Sequence, residues 1–186
     1  MSHKGFKTSW YSHFLGIRMQ HGYSLYQQLD ELLRKDQNIQ RFVEIGTGGG
    51  ALSVFLALHA VQRDTHLLTY DIQQRGHLYK TDKVFNRLGV EFVEADAFDH
   101  VDDIVAHVDN KPTLMFCDGG DKRKELVTFA PLLPTGSIVA VHDYGDEIES
   151  KDVEAFLTDN PAYSPIIEDL WLDKTKELYT CFLKRK

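Results

Sequence analysis

Cysteine is scarce. Only Cys117 and Cys181 occur in 186 residues, each inside a strand-like run, so neither a disulfide framework nor a cysteine-based zinc cluster is available and both thiols are expected to be reduced and buried. Long apolar runs are missing too. None approaches the roughly 20 residues that span a bilayer, and the N-terminal MSHKGFKTSW lacks the apolar stretch of a secretory signal. The expectation is a cytoplasmic chain with no membrane partner. Positive charge is in deficit, with 21 Lys and Arg against 28 Asp and Glu and a net charge of −7. That balance argues against a nucleic-acid partner and favours a small-molecule ligand. Repeats, low-complexity tracts and Pro/Gly/Ser linkers are absent. With 42% apolar and 26% charged residues, the chain can bury roughly two-thirds of its unfolded surface around one core. The reading is one domain over 1–186, a helical segment over about 1–38 leading into a core over 39–186.

What is there is alternation. Residues 41–45, 66–71, 90–94, 113–118 and 137–142 read as strands, and 51–61, 80–88, 101–108 and 122–133 between them read as helices. Strands that alternate with helices make a mostly parallel, doubly wound sheet with helices on both faces, a Rossmann-like α/β fold. An amphipathic helix over 24–34 precedes the first strand. A helix over 150–158 follows the fifth, then two strands over 164–172 and 177–184 joined by DKTK, which predicts an antiparallel C-terminal edge hairpin and seven strands in all.

In such a sheet, ligands bind beyond the carboxyl ends of the strands where strand order reverses. The first strand ends at Ile45, and Gly46-Thr47-Gly48-Gly49-Gly50 turns it into a helix whose free amides can meet a ligand. Asp71 ends the second strand, 21 residues after Gly50, where ribose hydroxyls need an acceptor. This much also fits the dinucleotide signature G-x-G-x-x-G/A, so an NAD(P)-dependent oxidoreductase remains an alternative. Glu44 extends the pattern to E-x-G-x-G-x-G, which resembles motif I of class I S-adenosylmethionine-dependent methyltransferases, in which the acidic residue helps to order the loop near the methionine end of the cofactor. The resemblance implies that Asp96 and Ala97, beyond the third strand, meet the adenine.

A second stretch, FCDGGDKRKELVTFAPLLPTGSIVAVHDY over 116–144, resembles the D-G-x-H…L-x-P-G-G…D pattern of the O-methyltransferase group that includes macrocin O-methyltransferase and the cephalosporin hydroxylase-like proteins. The upstream GIRMQHGYSLYQQLDELL resembles that group's entry helix, so the similarity runs over about 16–144. It implies a divalent cation, Mg²⁺ or Mn²⁺, on Asp118 and the pair His142-Asp143. Two carboxylates that leave positions open suit Mg²⁺, whereas His142, in place of the usual acid, shifts preference toward Mn²⁺, Fe²⁺ or Zn²⁺. Asp121 stands where related enzymes carry a base histidine, and Asp118, Asp121 and His142 are the catalytic candidates. Asp121 also suits the cap of the following helix, the Lys122–Lys124 triplet suits a solvated face, and the departures at 121 and 142 leave open a cofactor-binding protein without turnover. His21 and Tyr23 stand close enough to the first helix to reach the pocket mouth. Short loops leave little material for a lid, which implies an open cleft or one completed in a homo-oligomer.

Overall fold

The computed structural model describes residues 13–18, 21–73, 82–166 and 180–186. Two short strands, β1 (His13–Phe14) and β2 (Ile17–Arg18), pair antiparallel ahead of α1 (Tyr23–Lys35). Sequence reasoning had no periodicity to find in so short a hairpin. It turns at Leu15 and Gly16, both at positive φ, and its Phe14 ring packs on Tyr26 and Phe55.

The main chain then alternates as expected: β3 (Arg41–Ile45), α2 (Ala51–Val61), β4 (Leu67–Asp71), α3 (Asp82–Leu88), β5 (Glu91–Glu94), α4 (Val101–Val108), β6 (Thr113–Cys117), α5 (Lys122–Phe129), β7 (Ile138–His142), α6 (Ser150–Asp159), β8 (Tyr163–Pro165) and β9 (Thr180–Arg185). These strands form a seven-stranded sheet in the order β5-β4-β3-β6-β7-β9-β8, parallel through β7 and antiparallel at β9 and β8. The expected terminal hairpin is therefore present, with β9 inside and β8 at the edge. The DKTK link, the start of the 80–88 helix and Gln20 lie outside the described residues, as does the Tyr23 side chain. The helix expected over 122–133 stops at Phe129 and continues as a 3-10 turn over Ala130–Leu132. Pro131 has no amide to extend the α-helical ladder.

Alternation along each strand builds two cores. Val43, Met115 and Val139 face one way, into a layer with Ile104, Leu126 and Phe129 from α4 and α5. Phe42, Leu114 and Ile138 face the other way, against Leu29 and Leu33 of α1 and Leu52 and Leu56 of α2. Burial on both faces explains the near-continuous apolar runs of the central strands. Strand order reverses between β3 and β6, so the carboxyl ends of β3, β4, β6 and β7 bring Gly46, Asp71, Asp118 and His142 to one edge.

Candidate active site

At that edge lies a cleft of about 400 Å³ whose lining includes Gly46, Gly48, Asp71, Ala97 and Asp118. The turn that opens it runs through left-handed backbone at Gly46, Gly48 and Gly50, with φ of 95°, 54° and 79°. The glycines serve different ends. A Cβ on Gly46 would stand 2.2 Å from the carbonyl oxygen of Asp118, so the close approach there is by the chain's own backbone just after β6, whereas a Cβ on Gly48 would meet nothing within 4 Å and faces open space. Asp71 closes the turn from the next strand: its Oδ2 accepts from the Gly48 amide at 2.8 Å and its Oδ1 from the Gln73 amide at 3.1 Å. A carboxylate has about four acceptor sites, so capacity remains toward the cleft.

Glu44 lies beneath this turn and does not line the cleft. Its Oε2 accepts from Ser53 Oγ of α2 at 2.5 Å and from Thr69 Oγ1 of β4 at 2.6 Å, and Thr69 in turn meets Thr47 Oγ1 at 2.7 Å. The acid so ties strand, turn and helix together, and burial, partly offset by the Ser53 and Thr69 hydrogen bonds, pushes its pKa up to about 8. Thr47 is likewise buried below the turn, and Gly50 is the left-handed N-cap of α2. Across the cleft, Asp96 accepts from the Phe98 amide at 3.0 Å and caps a short turn that presents Ala97.

Beyond Gly46 the ends of β6 and β7 carry a dense polar cluster. Asp118 Oδ2 stands 2.9 Å from His21 Nε2, and Asp118 Oδ1 stands 3.2 Å from His142 Nδ1, which is also 3.0 Å from Asp143 Oδ1. Burial alone would raise the Asp118 pKa, but the two imidazoles hold it well below the ordinary carboxylate range. Against the opposing effect of burial, the two carboxylates push His142 up to about 9. Lys122 is the surprise. Expected on a solvated face, it is 5% exposed, with Nζ 3.1 Å from Asp143 Oδ2, 2.8 Å from Glu147 Oε2 and 3.6 Å from Asp118 Oδ1, and it donates to the Gly119 carbonyl. Asp143 is thereby drawn to an ammonium, away from the role of a free cation ligand. Among the described residues at this end of the sheet, the three side chains that bring ligand atoms within 4.8 Å of one another are His21, Asp118 and His142.

Asp121 is exposed and accepts from the Lys124 amide at 3.0 Å, capping α5 at the rim of the cleft. Glu125 is a site residue that the sequence reading missed. Buried, it accepts from the amides of Gly119 and Asp121 at 3.2 and 3.3 Å and so shapes the Asp118–Asp121 loop, while burial pushes its pKa up to about 7 despite those hydrogen bonds. Its signal was the four-residue step from Asp121 across the first helical turn.

A family model described as a methyltransferase domain matches residues 43–144, from within β3 to just past the end of β7. The chain belongs to that methyltransferase family. No curated protein matches the methyltransferase in sequence. Among solved structures, the O-methyltransferase TomG from Streptomyces achromogenes, in complex with SAM, is 20% identical over 88% of this chain and 80% of that chain, with a TM-score of 0.59. An O-methyltransferase from Bacillus cereus in complex with SAH is 17% identical over 89% and 82% of the two chains, with a TM-score of 0.58. A CmcI structure described as Mg-SAM is 13% identical over 94% and 76%, with a TM-score of 0.62. At such identities these likenesses establish the fold. No helix among the described residues is long and apolar enough to cross a membrane.

Proposed function

We propose that this methyltransferase uses S-adenosylmethionine and transfers its methyl group to a hydroxyl oxygen of a small molecule. The observation that carries the reading is the meeting of the glycine turn with Asp71 inside one cleft, where an open Gly48 Cα and a carboxylate with spare acceptor sites face the same space. The turn from Gly46 to Gly50 receives the amino-acid end of the cofactor, Asp71 accepts from the ribose hydroxyls, and Asp96 with Ala97 borders the adenine. Glu44 and Thr47 act from below by holding the turn in shape. The structures with SAM and SAH bound to proteins of this fold support the cofactor, and the net charge of −7 favours a small acceptor over a nucleic acid.

Because the sulfonium is already a good leaving group, the protein's work is alignment and exclusion of water. Asp118, held by His21 and His142, stands at the junction of the cleft and the polar cluster and is the residue best placed to orient the acceptor hydroxyl. Asp118 and His142 are also the residues that would hold a divalent cation, which would supply Lewis-acid chemistry that lowers the pKa of a hydroxyl beside it. Asp121, with one oxygen committed to capping, stands at the rim where a released proton passes to solvent. Calorimetry with S-adenosylhomocysteine tests the reading. Saturable binding, weakened at least about tenfold in Asp71→Ala, is expected; unchanged affinity in that variant would refute the ribose assignment.

A further inference from the structure

Two groups of described residues bring three metal-capable side chains together: His21, Asp118 and His142 at the reaction end of the sheet, and His66, Glu91 and His107 at its other end. The second group is open. Its His66 and Glu91 side chains are 46% and 58% exposed, and His107 spends Nε2 on the carbonyl of Phe42.

The first group is built differently. Its three side chains are 9%, 15% and 15% exposed, and Asp118 presents one oxygen to each imidazole, at 2.9 and 3.2 Å. Donors that share one ion at about 2.1 Å stand roughly 3 Å apart, so these spacings are already those of ligands around a common centre. His142 Nδ1 is buried and makes no hydrogen bond of sound geometry with any described group, although two carboxylate oxygens stand 3.0 and 3.2 Å away. Charge points the same way. Lys122 is shared by Asp118, Asp143 and Glu147, so one ammonium meets three carboxylates.

We infer that His21 Nε2, the Asp118 carboxylate and His142 Nδ1 form a two-histidine, one-carboxylate site for a divalent transition ion, Fe²⁺, Co²⁺ or Zn²⁺ ahead of Mn²⁺ and Mg²⁺. It rests on the reading of this end of the sheet as the reaction site and adds His21 as a ligand. Imidazole nitrogen suits these ions, whereas Mg²⁺ prefers oxygen and retains its waters. Asp143, whose Oδ2 pairs with Lys122, stands beside the set through His142 alone. Because His21 precedes α1 and Asp118 and His142 end β6 and β7, the ion also fastens the N-terminal segment over the sheet edge.

The test uses the full chain carrying His66→Ala, which dismantles the other histidine group, titrated with Co²⁺ and followed by visible absorption. One Co²⁺ per chain with ligand-field bands is expected, unmoved by about a tenfold excess of Mg²⁺ and displaced by Zn²⁺. Adding His21→Ala should weaken binding at least about tenfold, since even outer-shell partners of a metal site are worth that much. Absence of bands in the His66→Ala protein, equal competition by Mg²⁺, or undiminished affinity in a folded His21→Ala variant would each overturn the inference. If His21→Ala does not fold by circular dichroism, the Mg²⁺ competition in its parent decides alone. Calorimetry with S-adenosylhomocysteine on the metal-free His66→Ala protein separates the two levels. Cofactor binding without cobalt binding refutes the metal site only, whereas failure to bind the cofactor refutes the reading beneath it.

Discussion

Glu44 and Lys122 show how far one charged side chain can determine the behaviour of this site. Glu44 has no exposed surface, and burial raises its carboxyl from 4.5 to about 8 even with hydrogen bonds from Ser53 and Thr69. Between those two values the folded chain keeps a proton that the unfolded chain has released. Stability therefore falls as pH rises through that window, by at most about 1.4 kcal/mol per pH unit. Glu44→Gln cannot titrate, so the stability difference between wild type and variant should change across that range in urea denaturation; parallel curves would contradict the buried-acid assignment. Lys122 is the sole described cation that meets Asp118, Asp143 and Glu147 together. Removing one partner of a buried ion pair costs about 3–5 kcal/mol, less where a partner is wet. Since Glu147 is half-exposed, Lys122→Met should lower unfolding free energy by about 2–3 kcal/mol, and a change under about 0.5 kcal/mol would return Lys122 to the surface role expected of a charged triplet.

At the scale of elements, the turn between β3 and α2 divides its work among its glycines. Gly46→Ala forces a Cβ within 2.2 Å of the Asp118 carbonyl at a φ of 95°, between two backbones that cannot both yield. It should cost upwards of about 3 kcal/mol or prevent folding. Gly48→Ala meets no atom and pays only the left-handed penalty of about 1–2 kcal/mol, so it should fold yet lose affinity for S-adenosylhomocysteine. Similar destabilisation by the two substitutions would contradict this division. The strands that carry the turn were legible because burial on both faces writes continuous apolar runs into the sequence, and Asp71, Asp118 and His142 were legible because each ends such a run. Lys122 was not legible as a site residue, and His21 was legible only as a neighbour of the pocket mouth, not as a partner of Asp118. The burial of Lys122 is set by carboxylates that follow β6 and β7, and His21 meets Asp118 across 97 positions of sequence, contacts that no local period encodes. Glu44 was legible as part of a motif, but its place under the turn follows from the β-strand alternation that directs it at Ser53 and Thr69.

For the molecule as a whole, the sheet's reversal between β3 and β6 gathers side chains from four strand ends at one edge, and the antiparallel β9 and β8 close the opposite flank beyond β7. The same topology would serve a dinucleotide, and what favours the methyl donor is the match of residues 43–144 to a methyltransferase domain. The most direct measurement is calorimetric titration of the purified chain with S-adenosylhomocysteine, with NADH as the comparison ligand. The expected result is saturable binding of S-adenosylhomocysteine by the wild type, at least about tenfold weaker in Asp71→Ala, with no heat from NADH. A folded wild-type chain that binds NADH, or that gives no heat with S-adenosylhomocysteine, would contradict it.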